Sequence, residues 1–146
     1  MADRLMLGER SSRDGGRDVL ESATTRRLER LMYDWRRHFD VVNLYWGPDD
    51  RAGHLVEILR QSRPHLVVAL GNQVAKALGV PAELNWFARW MVPQWLVKDW
   101  MPHEPLRRLV VVKFPHPSGR SRLWNDPMFC AEASWALQAV VQEPLP

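Results

Sequence analysis

The residues best suited to chemistry are gathered in one stretch, 108–126, RLVVVKFPHPSGRSRLWND. An apolar β-branched run, Leu109 to Val112, leads through Lys113 and Phe114 to Pro115, His116, Pro117, Ser118 and Gly119, then to Arg120 and Arg122. Such a run reads as a buried strand that carries a histidine to its carboxyl end. The flanking prolines restrict the backbone there. In open α/β sheets that rim is where ligands bind. His116 is therefore expected to be a site residue, and the cationic loop after it a nucleic-acid contact. Two other positions have the same form. Glu9 follows Gly8 at the end of a short apolar segment, Arg4–Leu7. Asn43 interrupts the apolar segment Phe39–Tyr45. Asparagine is poor in strands because its side chain competes for backbone partners. Near a strand end its amide both donates and accepts, which suits a ligand edge; it equally suits a turn before Gly47 and Pro48. Glu9 reads also as a solvated loop carboxylate. Tyr45 and Trp46 are either a pocket wall or caps on the core.

The elements that must position these residues alternate. Arg4–Leu7, Phe39–Tyr45, His65–Leu70 and Leu109–Phe114 read as strands. The clearest is LVVAL, apolar on both faces as a buried parallel strand is. Thr24 or Thr25 caps a helix expected to reach about His38, with Leu28, Leu31, Met32 and Trp35 on one face. Arg26, Arg27, Arg30, Arg36 and Arg37 fall elsewhere on that wheel and read as a solvated face. Ala52–Ser62 forms the second helix. Gly71 turns the chain and Asn72 caps a short helix, Gln73–Leu78. Asp126 caps the last helix, with Pro127 at its first position. Phe129, Ala133, Ala136, Leu137 and Val140 form its apolar face. Between these lies 80–105, where Trp86, Trp90, Trp95 and Trp100 keep no single helical face and four prolines forbid a long helix. A short helix at Leu84–Trp90 is expected, and otherwise an ordered loop that covers the sheet edge or stacks on a ligand. The alternation implies a single domain over 1–146, a three-layer α/β/α sandwich around a parallel sheet of about four strands.

Composition narrows the class. With 146 residues, 46% of them hydrophobic, the chain is long enough and apolar enough for a full core. Net charge is only +3, but the cations are almost all arginine, which suits phosphate and planar groups. The single cysteine, Cys130, excludes an internal disulfide and a four-cysteine metal or cluster site. His54 and His65 lack partners at metal-ligand spacing. No apolar run reaches the roughly 18 residues of a spanning helix. The N-terminus lacks a signal-peptide core. A cytoplasmic monomer without metal, cofactor or membrane partner is expected.

In this order the motifs resemble the uracil-DNA glycosylase superfamily. Leu7-Gly8-Glu9 is similar to its first motif, and Val42-Asn43-Leu44 to the strand bearing its base-reading asparagine. Val67–Gly71 with Ala75–Leu78 looks like its third strand and following helix. His116-Pro117-Ser118 resembles its last motif, and Gly119–Arg122 the extended loop of the mismatch-specific branch. The resemblance implies removal of a uracil-like, mismatched or modified base from a flipped nucleotide, as in DNA repair. Its implied catalytic residues are His116, Glu9 and Asn43. Base binding falls to Asn43, Tyr45 and Trp46, and DNA binding to Ser118, Gly119, Arg120 and Arg122. The imidazole would donate to the oxygen that becomes negative, the largest help available to such a reaction. Glu9 would orient a water or stabilise the cationic sugar. The chain departs from the pattern at Ser11–Gly16, which lacks the family's proline-bearing loop and stacking aromatic, and at Arg120, near the place of a leucine wedge. Those departures favour an alternative: a catalytically inactive relative that binds nucleic acid or protein through the same rim.

Overall fold

The computed structural model describes residues 3–10, 23–45, 51–103, 105–117 and 122–143. Five strands form one sheet: β1 (Arg4–Arg10), β2 (Asp40–Tyr45), β3 (Leu66–Leu70), β4 (Arg89–Met91) and β5 (Val110–Phe114). Their order is β2-β1-β3-β5-β4. All neighbours are parallel except β4, which runs antiparallel to β5 at the edge. The helices are α1 (Ala23–Leu31), α2 (Arg51–Ser62), α3 (Asn72–Ala77), α4 (Gln94–Trp100) and α5 (Pro127–Gln142). This is the α/β/α sandwich that the alternation implies, with five strands and one reversal rather than four parallel ones.

The strands pleat their side chains alternately into two cores. Leu5, Leu7, Val67, Ala69 and Val111 pack under α2, α3 and α4. Met6, Leu66, Val68, Leu70, Val112 and Phe114 pack under α1 and α5. The β3 segment is buried throughout, as a central strand covered on both faces must be.

Four elements differ from the sequence expectation, α3 among them: it begins at Asn72, with Gly71 at the cap position and no side-chain cap. The first helix stops at Leu31 instead of running to His38, and a 3-10 turn, Trp35–Arg37, follows. The run breaks at Asp34, whose backbone is not helical (φ −104°, ψ 26°); its carboxylate pairs with the His38 ring at 3.2 Å. Trp35 still reaches the core and is fully buried. Residues 84–90 form no helix. The open edge of β5 takes them instead, with Phe87 N–H donating to the Lys113 carbonyl at 2.7 Å and β4 following. The helix of this region lies later, at α4, started by Pro93 and closed before Pro102. Finally, β1 continues through Gly8 to Arg10, because β2 offers it a parallel partner along that length.

Asp126 accepts from the Met128 N–H at 2.9 Å and Pro127 opens α5, as expected. No helix among the described residues is long and apolar enough to cross a membrane.

Candidate functional site

Parallel strands end at one edge, so the register locates the candidates. Gly8 lies opposite Asn43 and Glu9 opposite Leu44 on β1 and β2. Leu70 lies opposite Phe114 on β3 and β5. Gly71 and Pro115-His116-Pro117 therefore leave adjacent strands at the carboxyl edge, the edge at which Glu9 and Asn43 also lie. Asn43 is half-buried and sits inside β2, two residues short of its end. Glu9 and Tyr45 are described by strand position only. Trp46, Ser118, Gly119 and Arg120 lie outside the described residues. Arg122 is exposed in a 3-10 turn, Arg122–Asn125, after the loop.

The best-defined part of the edge is the contact between the ends of β3 and β5. The Gly71 N–H donates to the Phe114 carbonyl at 2.8 Å. Gly71 has φ of 100° and ψ of 164°, a conformation open essentially only to glycine. A Cβ there would stand 3.6 Å from His116 Cβ and 3.9 Å from its Cδ2. The histidine thus leans across the start of α3. It is half-buried between two buried prolines.

Below it lies a support that sequence reasoning missed. The Trp124 indole N–H donates to the His116 carbonyl oxygen at 2.9 Å. The Cys130 thiol donates to the Trp124 carbonyl at 3.3 Å. Trp124 packs against Phe114 and Phe129, with ring centroids at 6.0 and 5.4 Å, and Phe87 touches the same two phenyl rings. The Arg27 guanidinium from α1 lies 5.1 Å above the Trp124 ring. Arg27 is thus half-buried rather than solvated, while the others on that wheel, Arg26, Arg30, Arg36 and Arg37, are exposed. Only the tertiary position of Trp124 distinguishes Arg27, so no sequence signal marks it.

Lys113 is the second such residue. It is 5% exposed within β5. Its ammonium donates to the carbonyls of Ala82 and Leu84 at 3.2 and 3.1 Å and lies 4.6 Å from the Trp86 ring centroid. A lysine breaking an apolar strand was the available signal. Its contacts explain its burial: it ties the tryptophan-bearing segment down over the strand that ends in His116. Of the tryptophans in that segment, Trp100 is buried and Trp95 is 72% exposed, so the segment is cover in one part and open surface in another.

The arrangement offers an imidazole on a hydrogen-bonded, proline-flanked backbone, a strand-borne amide and a carboxylate-bearing strand end along one edge. Among the described residues no group of three or more His, Cys, Asp or Glu is placed to hold a metal ion. Comparison with known proteins adds no family to this geometry: no protein-family model matches the chain, and a search of curated proteins finds no match either.

Proposed function

We propose that the chain is a DNA glycosylase-like protein that binds DNA at the carboxyl edge and removes a uracil-like, mismatched or modified base from a flipped nucleotide. One observation carries the reading. His116 follows the end of β5, beside Gly71 at the end of β3, on the edge where β1 brings Gly8 and Glu9 and β2 brings Asn43. In this reading the His116 imidazole donates a hydrogen bond to the base oxygen that gains negative charge as the glycosidic bond breaks. Such donors are most effective when held in place beforehand. The Trp124 hydrogen bond to the His116 carbonyl and the two prolines hold the backbone that bears the imidazole. Asn43 reads the base edge, since its amide donates and accepts. Glu9 orients the attacking water or faces the cationic sugar. Arg120 and Arg122 hold backbone phosphates.

The test is a panel of oligonucleotides, single- and double-stranded, carrying uracil, mismatched and modified bases, scored for abasic sites in single turnover. Cleavage of at least one substrate is expected. His116→Ala then slows it by roughly 100- to 1000-fold with DNA affinity little changed. Asn43→Asp changes which base is accepted. Cleavage by the His116 variant at the parental rate would make the histidine structural. DNA binding without any abasic product would leave the binding-module alternative, which the departures in Ser11–Gly16 favour.

A further inference from the structure

The last helix presents an outward face unlike that of the other helices. Beyond Pro127, the exposed positions of α5 are Met128, Ala131, Glu132, Trp135, Gln138, Ala139 and Gln142. Only one of these seven is charged. The outward residues of α1 include Arg26, Glu29 and Arg30, those of α2 Glu57 and Arg60, and those of α4 Lys98 and Asp99. A helix face meant for water is normally charged, whereas a helix apolar on all sides is normally covered. Trp135 is 80% exposed and Met128 75%, and with Phe87, Ala131 and Glu132 they line one groove.

The order of residues along this face says what covers it. Counted from Trp135, alanine stands four residues before and four after, at 131 and 139. Three before and three after stand Glu132 and Gln138. Seven before and seven after stand Met128 and Gln142. These steps of three, four and seven keep one side of a helix. A two-fold axis through Trp135, perpendicular to the helix, sets Ala131 against Ala139 of a second copy. It sets the Glu132 carboxylate against an amide donor of Gln138 rather than against another carboxylate. The small residues on either side of the axis leave room for the two indoles to lie across the facing helix. The two helices are antiparallel, so each positive amino end lies beside a negative carboxyl end. That is the self-complementary pattern of an isologous contact.

We propose that α5 is the interface of a symmetric dimer of this chain, two copies packing antiparallel about Trp135. The contact does not depend on the reaction proposed above. It uses the outer side of a flanking layer, and it leaves the His116 edges of the two copies pointing in opposite directions, since α5 runs against the strands.

Sedimentation of the full chain from about 1 µM to about 1 mM tests it. A reversible doubling of mass within that range is expected. Trp135→Glu, which brings two carboxylates together on the axis, should weaken the dimer by about 100-fold or more, as loss of a central aromatic does. Ala131→Arg, which fills the room beside the indoles, should weaken it comparably, so the outcome does not rest on the folding of one variant. Arg26→Glu on α1 should leave it unchanged. A single-copy species across the whole range overturns the proposal. So does a dimer that survives both α5 substitutions.

Discussion

The two faces of the sheet are filled by different kinds of side chain. Under α2, α3 and α4 the core is chiefly leucine, valine and alanine, with Trp100 in it and Trp90 packed against it. Under α1 and α5 it holds Trp35, Phe39, Phe114 and Trp124, with Phe87 and Phe129 packed against them. Aliphatic groups bury area with no preferred direction. Rings pack edge to face, and an indole adds a directed N–H. The aromatic face is the one beneath His116, and the indole N–H is spent on that residue's carbonyl. Where this chain only needs cover it uses aliphatic bulk, and where it must fix a loop it uses rings with a polar handle.

The largest effect should come from a matched pair of truncations, one on each face. Trp124→Ala should cost about 3–5 kcal/mol and Leu59→Ala about 2–5 kcal/mol, both measured by urea unfolding. Their stability losses overlap, but only Trp124→Ala should shift the His116 ring resonances in NMR spectra. An equal shift in the Leu59 variant would erase the distinction between the faces.

A smaller effect is expected from the β3 end, where Gly71 approaches the same histidine from the neighbouring strand. Gly71→Ala should cost about 1–3 kcal/mol, because an alanine rarely adopts that backbone conformation. The new methyl itself stands at ordinary contact distance, 3.6 Å from His116 Cβ. A variant that keeps full stability would show that the backbone there relaxes freely, and that the aromatic side alone holds the loop.

The smallest effect lies at the far edge. The hydrogen bond from the His38 ring holds the Asp34 carboxyl below its ordinary value, with help from the charges of His38 and Arg37. A carboxylate lowered in this way contributes stability above its unfolded pKa and loses it as pH falls through the folded one. The pair is open to solvent, so its effect on unfolding is slight. His38→Ala should return the Asp34 titration upward, read by NMR, with the His116 signals unmoved. Movement of those signals would couple the two edges.

The sequence made the frame legible wherever local pattern and tertiary role agree. LVVAL is buried on both faces because it is central, and Asp126-Pro127 starts α5 because its cap needs nothing distant. The extent of α1 was not legible, since its apolar spacing continues to the buried Trp35 across a turn at 32–34. Residues 84–90 were misread for a different reason. Their conformation answers a demand of β5, an open edge in need of donors, and nothing in the segment itself reports that demand. The candidate edge follows the same division. Gly8-Glu9, Asn43 and His116 announce themselves because they interrupt or follow apolar runs. Arg27 and Trp124 do not, because their role exists only once α1, α5 and the loop have met.

The Arg4 guanidinium donates to the carbonyls of Val141 and Glu143 at 3.0 and 3.2 Å. The start of β1 and the end of α5 therefore lie side by side at the amino edge, across the sheet from His116. That neighbourhood makes the fold a natural subject for circular permutation. A short linker from α5 to β1 would replace a contact already made across the chain, and new ends fit at the exposed Pro102 and His103, between α4 and β5. A permuted chain keeps every strand pairing while placing β5 ahead of β1, which pairs on both sides, in the order of these strands. Comparing its refolding rate with that of the parent would separate the order in which strands emerge from the order in which they pair.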